Sequence, residues 1–219
     1  MCVIAGVVAV LAIGVSVAGA ARSSDFRDEF TSLEVRRWVK VDRPFGHGRI
    51  DSANVSVANG LLRLRLPAGR LDGAEVRSTS LYRYGTFRTR MKIADAPSSL
   101  TAFFLYKRPD YAQEIDIEIF NDSTGRIMFS TYSGSAQTNN EIVDTEYDLS
   151  GDFHEYTIEY DPDSVRFLLD GTELKRFSTG VPRSSMYLFV NAWFPFWLAG
   201  EIPTTDRYTL VDWIEHTGR

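Results

Sequence analysis

Period-two alternation, repeated along the chain with no competing helical period, most limits how this sequence can fold. Its sharpest instance is Glu114-Ile115-Asp116-Ile117-Glu118-Ile119. Successive side chains of a strand point to opposite faces, so the isoleucines enter a core and the three carboxylates share the other face. Leu62-Arg63-Leu64-Arg65-Leu66 alternates in the same way after the Asn59-Gly60 turn. Phe87, Thr89, Met91 and Ile93 alternate with Arg88, Arg90 and Lys92, and Tyr156, Ile158 and Tyr160 with Glu155, Thr157 and Glu159. Asp161-Pro162-Asp163 then turns the chain into Val165 to Leu169, and Asp170-Gly171 returns it through Glu173 to Phe177. After Ala21 no segment carries a helical period of useful length. These signals predict an all-β sandwich of two antiparallel sheets. Ser133 to Asn140 is polar and unpatterned, and a loop is expected there.

The chain has 219 residues, and the first 21 carry no charge. The expected division is a signal peptide at 1–21 and one domain of medium size at 22–219, with no room for a second. Cys2 to Ala21 is apolar and ends in Ala18-Gly19-Ala20, a small-x-small pattern suited to signal peptidase. No Lys or Arg precedes the run, and its length approaches that of a spanning helix. An uncleaved membrane anchor through residues 2–21 is therefore the alternative to secretion. Cys2 is the only cysteine and precedes the apolar run, so the mature domain has no internal disulfide. A formal charge of −5 with interspersed signs, and no basic stripe, argues against a nucleic-acid partner. A monomer is expected.

Three acids on one strand face repel one another, and a face that only needed to be wet would mix its charges. Ordinary exposed strands also alternate acids with apolar residues, so the pattern alone leaves both readings open. Glycoside hydrolysis needs two carboxylates flanking a bond, one to protonate the leaving oxygen and one to attack or activate water. Glu114 and Glu118 have α-carbons roughly 13 Å apart in a flat strand. On a concave sheet two inward-leaning side chains can close most of that gap, towards the separation of about 5–5.5 Å that suits double displacement. Asp116 between them is placed to hydrogen-bond one glutamate and hold the two ionisation states apart.

Glu-Ile-Asp-Ile-Glu resembles the signature of glycoside hydrolase family 16, whose lichenase-like members carry it on an unbulged strand. Tyr84-Gly85-Thr86-Phe87-Arg88-Thr89-Arg90-Met91-Lys92 resembles the family's Tyr-Gly-aromatic-x-x-Arg-Met-Lys strand, and Phe103-Phe104-Leu105-Tyr106 the aromatic strand before the catalytic one. His154-Glu155-Tyr156-Thr157 through Asp170-Gly171 is similar to the family's later hairpin, Asn191-Ala192-Trp193 to its Asn-x-Trp, and Val211-Asp212-Trp213-Ile214 to its closing strand. The likeness runs from about Phe26 to His216 in the family's order. It implies a jelly-roll sandwich of the concanavalin A-like kind, two curved sheets with a cleft across the concave face. It further implies retaining, endo-acting hydrolysis of a β-linked glucan (β-1,3 and/or β-1,3-1,4), with Glu114 as nucleophile, Glu118 as general acid/base and Asp116 as auxiliary acid.

Rings stack on the apolar faces of sugars while polar groups fix the hydroxyls. By resemblance Trp193 and Asn191 fall in the cleft, and Glu75, in Glu75-Val76-Arg77-Ser78, contacts a glucosyl hydroxyl with Arg77 beside it. Tyr106 and Tyr132 fall on cleft positions too, although half-buried strand tyrosines would look the same; Glu141 matches a loop carboxylate. Phe194, Phe196 and Trp197 stay open between core and cleft. No cofactor is required. Asp212 sits where some relatives hold a structural calcium, completed by backbone carbonyls near the Gly60 turn. His47, His154 and His216 share no metal-ligand spacing; His154 reads as a hydrogen-bonded structural residue and His216 as a surface one. Ala112-Gln113 replaces the usual Trp-Asp before Glu114, so one stacking surface is missing or is supplied by Tyr111, and the cysteine pair of many lichenases is absent. Transglycosylation on the same residues is the nearest rival. A lectin-like sandwich that binds glycan without cutting it is another, and a membrane-tethered wall-remodelling protein a third.

Overall fold

The alternating segments become strands throughout. A computed structural model describes residues 25–219; the expected leader at 1–21, with Cys2, lies outside them. In chain order the strands are β1 (Phe26–Asp28), β2 (Trp38–Lys40), β3 (Arg43–Phe45), β4 (Gly48–Ile50), β5 (Val55–Ala58), β6 (Leu61–Leu66), β7 (Ala74–Tyr82), β8 (Gly85–Lys92) and β9 (Leu100–Lys107). They continue as β10 (Gln113–Phe120), β11 (Arg126–Ser133), β12 (Ala136–Asp144), β13 (His154–Tyr160), β14 (Val165–Leu169), β15 (Thr172–Phe177), β16 (Met186–Trp193) and β17 (Arg207–Gly218). One turn of 3-10 helix, Ser52–Asn54, interrupts them. No helix among the described residues is long and apolar enough to cross a membrane.

Two large antiparallel sheets result. One runs β15-β14-β13-β8-β17-β6-β5, with β1 also on β17; the other runs β12-β11-β10-β9-β16-β7-β2. β3 and β4 form a separate hairpin. Ile115, Ile117 and Ile119 are fully buried between the sheets, as the alternation requires. Phe129 of β11 stacks on Phe167 of β14 at 4.8 Å, joining one sheet to the other. Each such buried side chain contributes about 1.5–3 kcal/mol.

Two expectations are corrected. Ser133 to Asn140 is not a loop: β11 ends at Ser133, and β12 begins at Ala136 after a turn with positive φ at Gly134 and Ser135. β12 is an edge strand exposed along most of its length, so neither face demands apolar residues and its backbone pairing leaves no hydrophobic period. His216 is not on the surface but 1% exposed, with its ring 4.4 Å from that of Phe87 and 4.7 Å from that of Tyr82. β17 lies inside its sheet, so the inward alternation that buries Ile214 also buries His216.

Candidate active site

β10 lies between β9 and β11, and its register sets the neighbours of each acid. Glu114 faces Tyr106 and Tyr132, Asp116 faces Phe104 and Ser130, and Glu118 faces Ala102 and Met128. β16 extends these rows with Tyr187, Phe189 and Asn191, and β7 adds Glu75 opposite Asn191. The sheet face away from the core therefore carries the acids beside aromatic rings. A cleft of about 350 Å³ opens over it, lined by all three acids together with Tyr106, Tyr132, Asn191 and Trp193. Ala102 is small, which leaves room next to Glu118.

The three carboxyl groups differ in what they touch. Asp116 is 5% exposed, accepts from Ser130 Oγ at 2.9 Å, and shares a hydrogen bond with Glu114. Burial, then the charges of Glu114 and Glu118, push its pKa well above the usual carboxylate range. Two carboxyl groups bond to one another only if one keeps a proton, and the more deeply buried Asp116 is the one to keep it. Glu114 is raised to about 8 by burial first, then by Glu118 and Asp110, while Arg43 and the bond from Asp116 act the other way. Glu118 is raised to about 7 by burial. The row titrates as a set, and the order of those two values does not divide the labour. The contacts do: a positive charge and a hydrogen bond favour the anion of Glu114, whereas burial alone acts on Glu118 and favours its neutral acid.

The wall beyond Asn191 depends on the β3–β4 hairpin. Gly46 sits at φ +58°, and a Cβ there would fall 2.0 Å from the Phe194 carbonyl oxygen, so only glycine lets the turn lie this close. That approach seats Phe45 on Trp193 with ring centroids 4.1 Å apart. The Arg43 guanidinium lies 3.9 Å over Phe45 and donates through Nη2 to Glu75 Oε2 at 2.9 Å. Asn191 Nδ2 donates to the same oxygen at 3.0 Å. Glu75 is fully buried and holds the wall rather than lining the cleft; Arg77 is half-buried, 4.6 Å over the Tyr187 ring.

Tyr106 donates to Asp110, and Gln137 donates to the Tyr132 hydroxyl at 2.8 Å, which orients both rings. Tyr111 is exposed, lines the cleft and lies 5.6 Å from Tyr132, so a ring stands near the acids despite Ala112-Gln113. The open aromatics divide: Phe194 is core, Phe196 is exposed beside His47, and Trp197 lines the cleft against Phe120. His154 bonds Asp170 at 2.7 Å, as a structural histidine does.

Two candidates are not brought to the site. Glu141 stands opposite Phe129, whose side chain enters the core, so it points away from the cleft and pairs with Lys175 of the other sheet. Asp212 accepts from Arg90 Nη1 at 2.7 Å, and no cluster of three His, Cys, Asp or Glu suited to a metal occurs among the described residues. A guanidinium already neutralises that carboxylate, which is a poor start for a calcium site. Arg43, Phe45 and Asp110 are site residues that the sequence reading missed. The only signal for the first two is the Gly46-His47-Gly48 turn, which marks a short hairpin without showing where it folds.

Known proteins resemble this chain closely. The profile of the family "Glycosyl hydrolases family 16" matches residues 47–215. A beta-glucanase of Bacillus subtilis (strain 168) is 30% identical over 217 residues, spanning 91% of this chain and 89% of the relative. The structure of the Bacillus licheniformis beta-glucanase superposes with a TM-score of 0.80 at 26% identity, covering 89% of this chain and 98% of that one. A prokaryotic beta-1,3-1,4-glucanase (lichenase) from a mouse hindgut metagenome gives a TM-score of 0.77 at 26% identity, over 89% and 99% of the two chains.

Proposed function

Because the chain belongs to glycosyl hydrolase family 16 and is a glycoside hydrolase acting on a polysaccharide, we propose that it cuts internal bonds of a β-linked glucan (β-1,3 and/or β-1,3-1,4) with retention of configuration. The observation that carries this reading is the unequal environment of the acidic row: burial raises both glutamates, but Arg43 and the hydrogen bond from Asp116 act for the anion on Glu114 alone.

In the first step Glu118 gives its proton to the glycosidic oxygen as the carboxylate of Glu114 attacks the anomeric carbon. The C–O bond breaks, the shortened glycan leaves as an alcohol, and a glycosyl ester on Glu114 remains. Glu118, now ionised, takes a proton from water, whose oxygen attacks the same carbon and frees Glu114. Asp116 keeps its proton throughout and donates to Glu114, moderating its basicity in attack and in departure. Trp193 and Tyr111 offer ring faces to sugars, and Asn191 a polar group to their hydroxyls. Export through residues 1–21 belongs to the same reading, since a polysaccharide substrate is met outside the cell.

Azide tests the roles. Glu114→Ala opens a small space beside the anomeric carbon, and azide on an activated β-glucoside should give the product of inverted configuration. Glu118→Ala spares the first step on a good leaving group, and azide should give the retained product. The opposite pair of outcomes would exchange the two roles, and full activity in both variants would end this reading of β10.

A further inference from the structure

Next to the cleft, on the same sheet face, lies a second cavity of about 350 Å³. It shares Arg43 and Tyr106 with the cleft, so a chain seated over the acids passes directly into it. Tyr187 and Phe189 form an apolar floor, and Arg43, Arg77, Lys107 and Arg108 bring four cations to its walls. Glu75 is the only acid in the lining, and Arg43 and Asn191 already occupy it. Asp110, on the loop after Arg108, is held by the Tyr106 hydroxyl and lines the cleft instead.

That excess of positive charge is out of keeping with the rest of the surface. Most cations elsewhere, Arg65, Arg88, Arg90 and Arg166 among them, sit against acids, as expected in a chain with 29 acidic and 24 basic residues, and others lie over a ring or on a backbone carbonyl, as Arg63 and Lys92 do. Arg77, Lys107 and Arg108 pair with no acid among the described residues. Arg77 is half-buried, its guanidinium is held over the Tyr187 ring, and its Nε is buried without a hydrogen-bond partner. Neighbouring cations left without counter-charge repel one another, and a half-buried guanidinium has lost part of its hydration. A planar fork held over a ring, with two exposed cations beside it, suits an oxyanion on a sugar whose face rests on the aromatic floor.

We propose that this cavity is an anion-accepting subsite, and that the preferred glycan carries a carboxylate or a sulfate ester on the sugar that occupies it. The proposal rests on reading the acidic row as a glycan-cleaving site, and adds to it the substrate's charge. The anion takes the Arg77 fork, with Lys107 and Arg108 closing over it from the exposed side. The acidic row repels the same group, which keeps the charged sugar out of the scissile position and fixes the register of the chain.

The test uses full-length protein made inert by Glu118→Gln. Calorimetry compares a neutral β-glucan oligosaccharide with the same backbone bearing one glucuronyl residue, and with one bearing a sulfate ester. At least one acidic ligand should bind about tenfold tighter at low salt, with the advantage shrinking as ionic strength rises. In Arg77→Met/Lys107→Met/Arg108→Met protein of unchanged melting temperature, the ratio of acidic to neutral affinity should fall towards one. Equal or weaker binding of both acidic ligands overturns the proposal, and so does an advantage that survives the triple variant. Parallel kinetics on the active enzyme separate the two readings. Tighter acidic binding with no cleavage of any glycan sinks the catalytic reading and leaves the subsite; cleavage of neutral glucan with no acidic advantage does the reverse.

Discussion

Glu118→Gln should abolish turnover and make the protein more stable at neutral pH. The side chain is held where burial lifts its pKa from 4.5 to about 7. An acid whose folded pKa is raised binds more protons in the folded state than in the unfolded one, so stability falls as pH rises between the two values. Below about 4.5 both states are protonated and Glu118 contributes nothing; above about 7 the whole penalty is present. One pKa unit corresponds to about 1.36 kcal/mol, which sets a ceiling of about 3 kcal/mol. Glu118 keeps part of its surface open to the cleft, so screening by water reduces this to about 1–2 kcal/mol. Glutamine keeps the shape, removes the charge, and also relieves Glu114 and Asp116 of the repulsion that Glu118 exerts on them. A domain of this size gains roughly 2–4 °C per kcal/mol, so the variant should melt about 2–8 °C above wild type at pH 7.5 and level with it at pH 4. Thermal melts across that range, with Glu141→Gln at the edge of the same sheet and away from the cleft as a control, decide the matter. A gain that does not vary with pH would reflect packing instead of charge, and no gain at pH 7.5 would refute the strained proton as the device of the site.

The same row sets the activity profile: kcat/KM should follow a bell in pH whose alkaline limb, where the row loses the proton that catalysis needs, lies well above the usual carboxylate range because burial raises the set, and an alkaline limb near 4.5 would place the acid elsewhere. Asp116→Asn should lower kcat without abolishing it, because the amide can still donate to Glu114; complete loss with an intact melt would make Asp116 a direct participant. Trp193→Ala should cut kcat/KM on polysaccharide and lower stability by about 1–2 kcal/mol through the lost Phe45 contact, short of the roughly 3–5 kcal/mol of a core aromatic. A large drop in melting temperature with unchanged activity of the folded fraction would return Trp193 to the core. Arg43→Met should destabilise by about 2–4 kcal/mol, because it strands the fully buried Glu75, and Glu75→Gln by less, because the one-third-exposed Arg43 can turn to water; the reverse order in urea melts would count against the pair as the support of the cleft wall.

Where one face of a strand is buried, the sequence announces it. Ile115, Ile117 and Ile119, or Leu62, Leu64 and Leu66, can satisfy only one register, and the structure buries all six. Where no face is buried the pattern vanishes, although the strand does not. β12 is held by backbone bonds to β11, and its Ala136-Gln137-Thr138-Asn139-Asn140 gives no hint of them. His216 fails for the opposite reason: its polar name suggests water, but an aromatic ring fills a gap between Phe87 and Tyr82 as well as an apolar one would.

The site divides in the same way. Its acids lie on one strand, so their common face follows from a period of two with no knowledge of the rest of the chain. Its wall is assembled from strands far apart in sequence, and only folding brings Arg43 of β3, Glu75 of β7 and Asn191 of β16 onto shared oxygens. Nothing local in Arg43-Pro44-Phe45 marks it as part of a site. What puts it there is a glycine turn that lets its backbone touch Phe194. The positive cavity follows from the same assembly. Arg77 is marked in the sequence only by its place on a cleft-like strand and Lys107-Arg108 by nothing, and only the pairing of β7 with β16 and of β16 with β9 sets them around one space. Reaction chemistry is therefore legible from one strand, whereas substrate choice is written across several, in contacts that sequence order scatters.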